Sequence, residues 1–230
     1  MSQAPRMTIK SLLREASLFQ GVSDQALARL EAAGRLRHLA RGQMLFSQGD
    51  AAGAFFLVCS GSINLGLDSA NGRELVINEM RPGDGFGELG LITGQPRSTS
   101  AVAGQDSVVL VIPRRDFMAV LADEPALARN LLHTMADRLG TSSEREGALA
   151  FLNAPSRLAR VLVQLDRKAS VDGYVTISQE ELARRVGLAR QTVAQLLGKW
   201  RRSGWILTGR GRIVLLNRAA LRRQAEEEDR

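Results

Sequence analysis

A glycine-rich stretch at residues 83–100 (GDGFGELGLITGQPRSTS) lies between two apolar, strand-like runs and limits how the surrounding chain can fold. Glycine lacks a Cβ and tolerates positive φ, so the backbone of such a stretch can approach a ligand closely. Arg97 offers a planar fork of donors that matches two phosphate oxygens, and Glu88 offers a carboxylate that accepts hydrogen bonds from hydroxyls. The stretch predicts a loop that holds the two ends of a sugar phosphate. The alternative is an ordinary surface turn.

Three of these glycines, Gly85, Gly87 and Gly90, have the G-x-G-x-x-G spacing of dinucleotide-binding folds. That spacing indicates a dinucleotide site only where a strand precedes it and a helix opens from it. The sequence Thr-Gly-Gln-Pro at 93–96 interrupts the chain shortly afterwards, and a helix cannot run through it. We therefore reject a dinucleotide-binding fold.

Length and composition indicate a globular protein of one large or two ordinary domains, because the chain has 230 residues. No apolar run reaches the roughly 18 residues of a membrane span, and the first residues lack the pattern of a signal peptide. We therefore expect a cytoplasmic protein with no membrane partner. Cys59 is the only cysteine, which argues against a disulfide and against a cysteine-ligated metal or iron–sulfur cluster. With only two histidines, a haem or metal site has little support.

The formal net charge of +7 is concentrated in the last third of the chain. Residues 1–154 hold 15 basic and 16 acidic side chains, whereas residues 155–230 hold 16 basic and 8 acidic ones. A basic C-terminal module beside a nearly neutral N-terminal one predicts that the C-terminal module binds a polyanion. The alternative is a charge that only aids solubility.

Short apolar runs alternate with turns from Gly42 to Pro113. Many short strands at even spacing are typical of a small barrel or jelly roll, and the glycine-rich stretch is its one long irregular excursion. The predicted strands are Met44–Phe46, Ala54–Cys59, Ser62–Leu67, Leu75–Met80 and Ser107–Ile112.

A long helix is predicted over Pro125–Leu152, where helical spacing is interrupted by no internal proline. At 1.5 Å per residue, a helix of roughly 27 residues is about 40 Å long. Its seam, with residues recurring at spacings of four and three, is typical of a coiled coil and predicts a parallel homodimer. The alternative is a helix packed on its own domain. Asn153 then ends the helix and can cap the next one, which places a hinge there. The seam consists of Ala128, Leu132, Met135, Leu139, Ser142, Glu146 and Leu149.

The basic module contains a helix-turn-helix pattern over Ile177–Lys199. Ser178 with Glu181 three residues later forms a capping box, Gly187 makes the turn, and a second helix begins at Arg190. The runs 205–207 and 213–216 then form a hairpin wing. In such modules the second helix enters the major groove of DNA.

Residues 86–89 (Phe-Gly-Glu-Leu) and 96–98 (Pro-Arg-Ser) resemble the phosphate-binding cassette of cyclic-nucleotide-binding domains, as found in the Crp/Fnr family of bacterial transcription regulators. The resemblance implies that Glu88 binds the ribose 2′-hydroxyl and that Arg97 and Ser98 bind the cyclic phosphate. Gly87 and Leu89 would contribute backbone groups. The helix-turn-helix and its wing resemble the winged helix of the same family.

The same resemblance implies roles for two further groups. A hydroxyl pair at the position of Ser142 and Ser143 contacts the purine across the dimer in that family; the alternative is a plain break in the coiled coil. Hydroxyls at Ser98, Thr99 and this pair could serve adenine or guanine. Where the family commonly presents Arg, Glu and Arg for base reading, this chain has Arg190, Gln191 and Gln195. Arginine suits guanine and glutamine suits adenine. Phosphate-contact candidates are Ser178, Arg184, Lys199, Arg210 and Arg212.

Together these features predict an α+β chain with a cyclic-nucleotide-binding β-roll at 1–117, a dimerisation helix at 118–153 and a winged helix-turn-helix at 154–230. We expect a homodimer that binds palindromic DNA in response to cAMP or cGMP, with RNA polymerase as a further partner. No nucleophile–base pair or metal set is present in the sequence pattern, so we expect no enzyme. The alternatives are an effector-independent regulator of the same fold and a nucleotide-gated regulatory subunit of an enzyme.

Overall fold

The computed structural model describes residues 8–68, 74–168 and 173–227. Within them the chain forms two compact units: the first comprises residues 8–68 and 76–138, and the second comprises residues 139–227 together with residues 74–75. The first unit is a β-roll with helices, and the second is a winged helix-turn-helix. The predicted α+β fold is confirmed.

The first unit opens with two short helices, α1 (Ile9–Glu15) and α2 (Asp24–Ala33), joined by a 3-10 turn at Ser17–Phe19. The predicted N-cap at Ser23 is confirmed, since its hydroxyl accepts a hydrogen bond from the Ala26 N–H. Helices α3 (Glu88–Thr93), α4 (Arg114–Asp123) and α5 (Pro125–Phe151) follow later in the chain. The strands are β1 (Arg35–Leu39), β2 (Met44–Phe46), β3 (Ala54–Ser60), β4 (Ile63–Asp68), β5 (Glu74–Met80), β6 (Gly85–Phe86), β7 (Ser100–Ala103) and β8 (Ser107–Pro113).

Two four-stranded sheets form the β-roll, in the orders β1-β8-β3-β6 and β2-β7-β4-β5. Strand β3 is apolar on both faces because both faces are covered. Phe56 and Val58 belong to the core between the sheets, whereas Phe55 and Leu57 pack with the helices on the outer face. Alternation of side chains along a strand produces this division.

The glycine-rich stretch is more regular than predicted. It contains the short strand β6 and the helix α3, whereas the sequence analysis expected one irregular excursion. Gly87 (φ 86°) precedes α3 and Gly94 (φ 72°) ends it, and both adopt the left-handed conformation. The helix α3 was not predicted because it has only six residues between two glycines, which are too few to show a helical period.

The helix α5 has two apolar faces. Leu127 and Leu131 are buried, and Met135 packs against the same core of the first unit. Leu132 and Leu139 are each 68% exposed. At 3.6 residues per turn, the exposed leucines lie roughly a quarter turn away from the buried stripe.

The predicted seam therefore combines these two faces, and its member Met135 belongs to the face that packs on its own unit. A spacing of three and four is shared by coiled coils and by helices packed on a domain, so the sequence alone could not separate the two. The side chains of the seam members Glu146 and Leu149 lie outside the part that the structure describes.

Within the second unit, the helix α5 is followed by a break at Leu152–Asn153. The predicted cap is present, because Asn153 Oδ1 accepts hydrogen bonds from the Ser156 N–H at 3.0 Å and the Ser156 hydroxyl at 2.8 Å. The core of this unit includes Trp200. Its elements are α6 (Ala154–Lys168), β9 (Val175–Thr176), α7 (Gln179–Val186), α8 (Arg190–Arg202), β10 (Ile206–Gly209), β11 (Arg212–Leu215) and α9 (Arg218–Glu226).

The wing is a tight hairpin. Gly209 pairs with Arg212, so that only Arg210 and Gly211 form the turn, with Gly211 at φ 69°. The strands extend further towards the tip than the predicted runs at 205–207 and 213–216. Strand β9 adds a third strand by pairing with β11.

Candidate functional site

One pocket of the first unit gathers most of the predicted ligand-binding residues. Its walls come from the strands β2, β4 and β5, from the β6–α3 segment, from the residues leading into β7 and from α5. The lining residues are Phe46, Leu65, Ile77, Asn78, Phe86, Gly87, Glu88, Leu89, Gly90, Arg97, Ser98, Thr99 and Arg138.

The glycines that mimic a dinucleotide fingerprint are required for packing here. A Cβ on Gly87 would lie 2.7 Å from Arg97 Nη1, and one on Gly85 would lie 2.4 Å from Phe55 Cζ. A Cβ on Gly90 would lie 2.6 Å from the Ala52 Cβ. Because any side chain at these positions would displace a neighbour, the spacing reflects the closeness of the cassette to strand β3 and the loop before it. Strand β6 precedes Gly87 and α3 opens from it, but β3 pairs antiparallel with both β6 and β8, whereas a dinucleotide-binding fold is built on parallel strands, so its rejection stands.

Glu88 is the first residue of α3 and is only 5% exposed. Its Oε1 accepts a hydrogen bond from Arg138 Nη1 at 2.6 Å. Its Oε2 is buried and has no hydrogen-bond partner within the described part of the chain. A buried carboxylate oxygen is costly to leave unpaired, so this oxygen is ready to accept a hydrogen bond from a ligand.

Arg97 is 6% exposed and is held by two backbone carbonyls. Its Nη1 donates to Gly87 O at 2.8 Å and its Nη2 donates to Ala54 O at 2.6 Å. The guanidinium also lies 4.4 Å from the centroid of the Phe46 ring. These contacts fix the position and plane of the cation before any ligand arrives.

The charge and donors of Arg97 remain suited to an anion. Burial lowers the pKa of its guanidinium, and the nearby carboxylates of Glu88 and Asp50 oppose that shift. An arginine stays protonated under such conditions, because its unperturbed pKa lies far above neutral pH. Its Nε is buried with no partner among the described residues, which leaves a donor for an anionic oxygen.

The remaining predicted ligand residues fall into two groups, those that line the pocket and those that do not. Leu89, Ser98 and Thr99 line the pocket as expected. Ser142 and Ser143 lie on α5 beyond Arg138 and are not among the residues that line it. Ser142 is partly buried and Ser143 is exposed. Their contact with a purine remains a prediction.

Sequence reasoning did not assign seven of the lining residues to the site, of which Arg138 matters most. Its Nη2 also donates to the Gly85 carbonyl, so it joins Glu88 and the β6–α3 segment to α5. The sequence did contain a signal for Arg138. It lies seven residues after Leu131, so it places a charged side chain on the otherwise apolar, buried stripe of the helix. Asn78 and Phe46 had no such signal, since each follows the ordinary alternation of its strand.

In the second unit, α8 presents the predicted base-reading residues on its exposed side. Arg190, Gln191 and Gln195 are exposed, as is Lys199, while the opposite side of the helix is buried through residues such as Trp200. Arg190 Nε lies 3.9 Å from Glu180 Oε2 on α7, with both side chains mostly exposed. An exposed pair of this length is weak and leaves the guanidinium available.

The phosphate-contact candidates lie around this helix. Ser178 is the N-cap of α7, and its hydroxyl accepts from the Glu181 N–H. Only this half of the predicted capping box is formed, since the Glu181 carboxylate accepts a hydrogen bond from Arg185 at 2.8 Å. Arg184 is partly buried.

At the wing, Arg210 and Arg212 are exposed. The Arg212 guanidinium lies 4.7 Å from the centroid of the Tyr174 ring. This stacking fixes the direction of Arg212, and nothing in the sequence pattern indicated it.

The part of the chain that the structure describes contains neither a metal-ion cluster nor a membrane-spanning helix. Across residues 8–68, 74–168 and 173–227, no three His, Cys, Asp or Glu side chains gather in an arrangement that could hold a metal ion. In the same ranges no helix combines the length and the hydropathy that crossing a membrane requires.

Two family models match the chain: the cyclic nucleotide-binding domain over residues 36–124 and the Crp-like helix-turn-helix domain over residues 156–224. The chain is 32% identical over 212 residues to the CRP-like cAMP-activated global transcriptional regulator of Mycobacterium tuberculosis, which covers 90% of this chain and 94% of the relative. It is 30% identical over 209 residues to the cyclic AMP receptor protein of Thermus thermophilus, covering 91% and 96%.

Solved structures give the same picture. The Thermus thermophilus catabolite activator protein aligns with a TM-score of 0.53 at 30% identity, over 91% of this chain and 98% of that one. The c-di-GMP responsive regulator CLP of Xanthomonas campestris aligns with a TM-score of 0.76 at 24% identity, over 84% and 99%, and supports the fold alone.

Proposed function

The chain belongs to the Crp/Fnr family of transcription regulators, and from that membership we propose that it is a homodimer that binds a palindromic DNA site in response to cAMP or cGMP. The coarser function, a cyclic-nucleotide-binding and DNA-binding regulator, follows from the family itself. The relatives are transcriptional regulators, which favours a binding protein over an enzyme. We further propose domain boundaries at 1–117, 118–153 and 154–230, a cytoplasmic location and RNA polymerase as a partner.

One observation supports the ligand class above others. Two nine-tenths-buried side chains in a single pocket each keep an unpaired polar atom: Glu88 Oε2, an acceptor, and Arg97 Nε, a donor. A ligand that satisfies both must donate a hydrogen bond to the Glu88 carboxylate and offer an acceptor to the Arg97 guanidinium, whose charge favours an anionic oxygen. The ribose 2′-hydroxyl and the cyclic phosphate of a cyclic nucleotide supply these two groups. The Ser98 hydroxyl at the mouth of the pocket would add a further donor to the phosphate.

The identity of the purine is a finer question. The Mycobacterium tuberculosis and Thermus thermophilus relatives are cAMP-activated or cAMP-binding by their names, which makes cAMP the first ligand to test. Thr99 and Asn78 line the pocket with groups that both donate and accept, so either purine could be served. Ser142 and Ser143 would add hydroxyls from the helix.

The dimer is proposed from the exposed face of α5. Leu132 and Leu139 lie seven residues apart and are among the most exposed large apolar side chains of the described residues. Two exposed leucines at heptad spacing form the contact stripe that a second copy of the helix would cover. In a dimer the two recognition helices would read half-sites about 34 Å apart, which is one turn of DNA.

Calorimetry on the purified full-length protein tests the ligand. We expect heat of binding with cAMP or cGMP and none with AMP, because AMP lacks the cyclic phosphate. Ser98→Ala is expected to weaken binding, while Ser203→Ala, a change at an exposed serine of the second unit, is expected to leave it unchanged. No heat with either cyclic nucleotide would overturn the proposal in favour of an effector-independent regulator.

Selection of bound DNA from a random library tests the DNA half of the proposal. We expect an inverted repeat that is enriched more strongly when the bound nucleotide is present. Absence of any common sequence would overturn site-specific DNA binding and would favour a regulatory subunit of an enzyme.

A further inference from the structure

The exposed side of α8 carries both long polar side chains and very small residues. Gln191 and Gln195 lie on it, and Ala194 and Gly198 lie between Arg190 and Gln191 around the helix. At 3.6 residues per turn, Gly198 and Gln191 are roughly 20° apart when viewed down the axis. The middle of this face therefore carries no long side chain, and Gln191 lies beside it.

Gly198 is not required by the fold of the chain. A Cβ at this position would meet only Arg202 Nη1, at 3.6 Å, which is an ordinary contact with the end of a flexible side chain. Glycine in the interior of a helix lowers its stability relative to alanine. The absence of a side chain at Gly198 therefore lowers the stability of the helix without being needed for packing inside the chain. Such a position is suited to close approach by a surface of another molecule.

The polar residues on this face have distinct hydrogen-bonding abilities. The Arg190 guanidinium has only donors and matches guanine O6 and N7. The amides of Gln191 and Gln195 each carry a donor and an acceptor, which match adenine N7 and N6. A carboxylate at either position would instead accept from cytosine N4.

The spacing along α8 fits successive base pairs. Arg190 and Gln195 are five residues apart, which at 1.5 Å per residue is about 7.5 Å along the helix axis. Base pairs of B-DNA are about 3.4 Å apart, so this distance spans roughly two base steps. Arg190 and Gln195 can therefore reach different base pairs of one half-site, with Gln191 beside the first.

We propose that Gln191 and Gln195 read adenines in a half-site whose guanine is read by Arg190, and that Gly198 lets α8 lie close to the bases. This proposal rests on the proposed function as a site-specific DNA-binding protein and names the sequence class of its target. Glu180 does not oppose it, because its pairing with Arg190 is exposed and long.

The experiment is selection from a library with randomised half-sites, using the full-length protein with and without cAMP. Wild type is expected to enrich a guanine and at least one adenine within about three base pairs of it. Gln191→Glu is expected to change the preference at one position from adenine to cytosine by about tenfold, as one bidentate contact allows. Gln195→Ala is expected to lose preference at one other position. The control Gln25→Glu makes the same change on α2 of the first unit and should alter neither.

The outcomes separate the two levels of the proposal. An enriched site that Gln191→Glu and Gln195→Ala both leave unchanged would overturn adenine reading while keeping site-specific DNA binding. Failure of wild type to enrich any sequence would overturn the proposed function itself.

Gly198→Ala supplies an independent measurement. We expect thermal unfolding of this variant at a higher temperature than wild type, because alanine favours the helix, and weaker binding to the selected site, because the methyl group would stand between α8 and the bases. Unchanged or tighter DNA binding by this variant would overturn the close approach.

Discussion

Replacing Arg97 with alanine is expected to destabilise the first unit as well as to remove a phosphate contact. The side chain is almost fully buried and supplies hydrogen bonds to the Gly87 and Ala54 carbonyls. Its loss would leave both carbonyls without these donors and an empty volume beside Phe46. The segment around Arg97 would lose its side-chain hydrogen bond to Ala54 of strand β3, while the pairing of β6 with β3 would remain.

The size of the effect follows from these contacts. A hydrogen bond to a charged donor contributes about 1.5–3 kcal/mol, so two of them contribute about 3–6 kcal/mol. The stacking on Phe46 adds about 1–2 kcal/mol in a desolvated setting. Because whole domains are stable by only about 5–15 kcal/mol, a loss of this size would unfold part of the population.

Urea unfolding followed by two probes can measure this effect. The only two tryptophans, Trp200 and Trp205, both lie in the second unit, so their fluorescence reports that unit alone. The far-UV circular dichroism signal includes the β-roll. At about 2 kcal/mol per molar urea, the combined loss of hydrogen bonds and stacking is expected to move the β-roll transition of Arg97→Ala down by about 2–4 M. The fluorescence transition should move much less.

Ser98→Ala is the matched control, because Ser98 lies beside Arg97 in the pocket and is exposed. It should weaken nucleotide binding and leave the urea midpoint unchanged. If Arg97→Ala unfolds at the same urea concentration as wild type, the structural role assigned to the two carbonyl bonds is refuted.

Three further predictions concern separate parts of the chain. Glu88→Gln keeps the size of the side chain but removes its charge, so calorimetry should show nucleotide affinity about 10–100-fold lower; equal affinity would contradict the ribose role. Arg212→Ala should reduce the slope of log affinity for DNA against log salt concentration by about 0.9, because one phosphate contact is lost. Tyr174→Leu removes the ring and should reduce the slope by part of that amount, whereas Tyr174→Phe keeps the ring and should leave the slope nearly unchanged. The same slope for all three variants would argue against the stacked pair. Leu139→Lys should shift the protein to monomer in analytical ultracentrifugation, unlike the control Leu216→Lys at an exposed leucine of the second unit.

The sequence predicted those parts of the fold that a single local pattern determines, such as an apolar run or a helix cap. Runs such as Ala54–Cys59 are strands because they are apolar on two covered faces, and Ser23 and Asn153 are caps because their side chains satisfy the first N–H groups of a helix. Strand β1 (Arg35–Leu39) was not predicted. It is an edge strand paired only with β8, and four of its five residues are exposed, so it shows no apolar pattern.

The candidate site was predictable where it is local in sequence and unpredictable where it depends on contacts between distant residues. Glu88, Arg97 and Ser98 lie within eleven consecutive positions, and their chemistry could be read directly. The pairing of Glu88 with Arg138 joins residues 50 positions apart. The carbonyl bonds of Arg97 are equally invisible in the sequence, because any residue can supply a backbone oxygen at that point. A residue assigned to a ligand alone thus proved to hold the fold as well.

Arg138 is both a wall of the pocket and the last residue of the first unit. The Glu88 carboxylate is paired with Arg138, so a ligand hydroxyl that bonds to this carboxylate also affects its pairing with Arg138. It thereby affects how firmly α5 is held at the point where the chain leaves the first unit. Binding free energies at linked sites are reciprocal: if a ligand changes how firmly α5 is anchored, whatever binds further along the chain changes the ligand's affinity by the same factor. The nucleotide affinity of this protein would then differ between free and DNA-bound molecules.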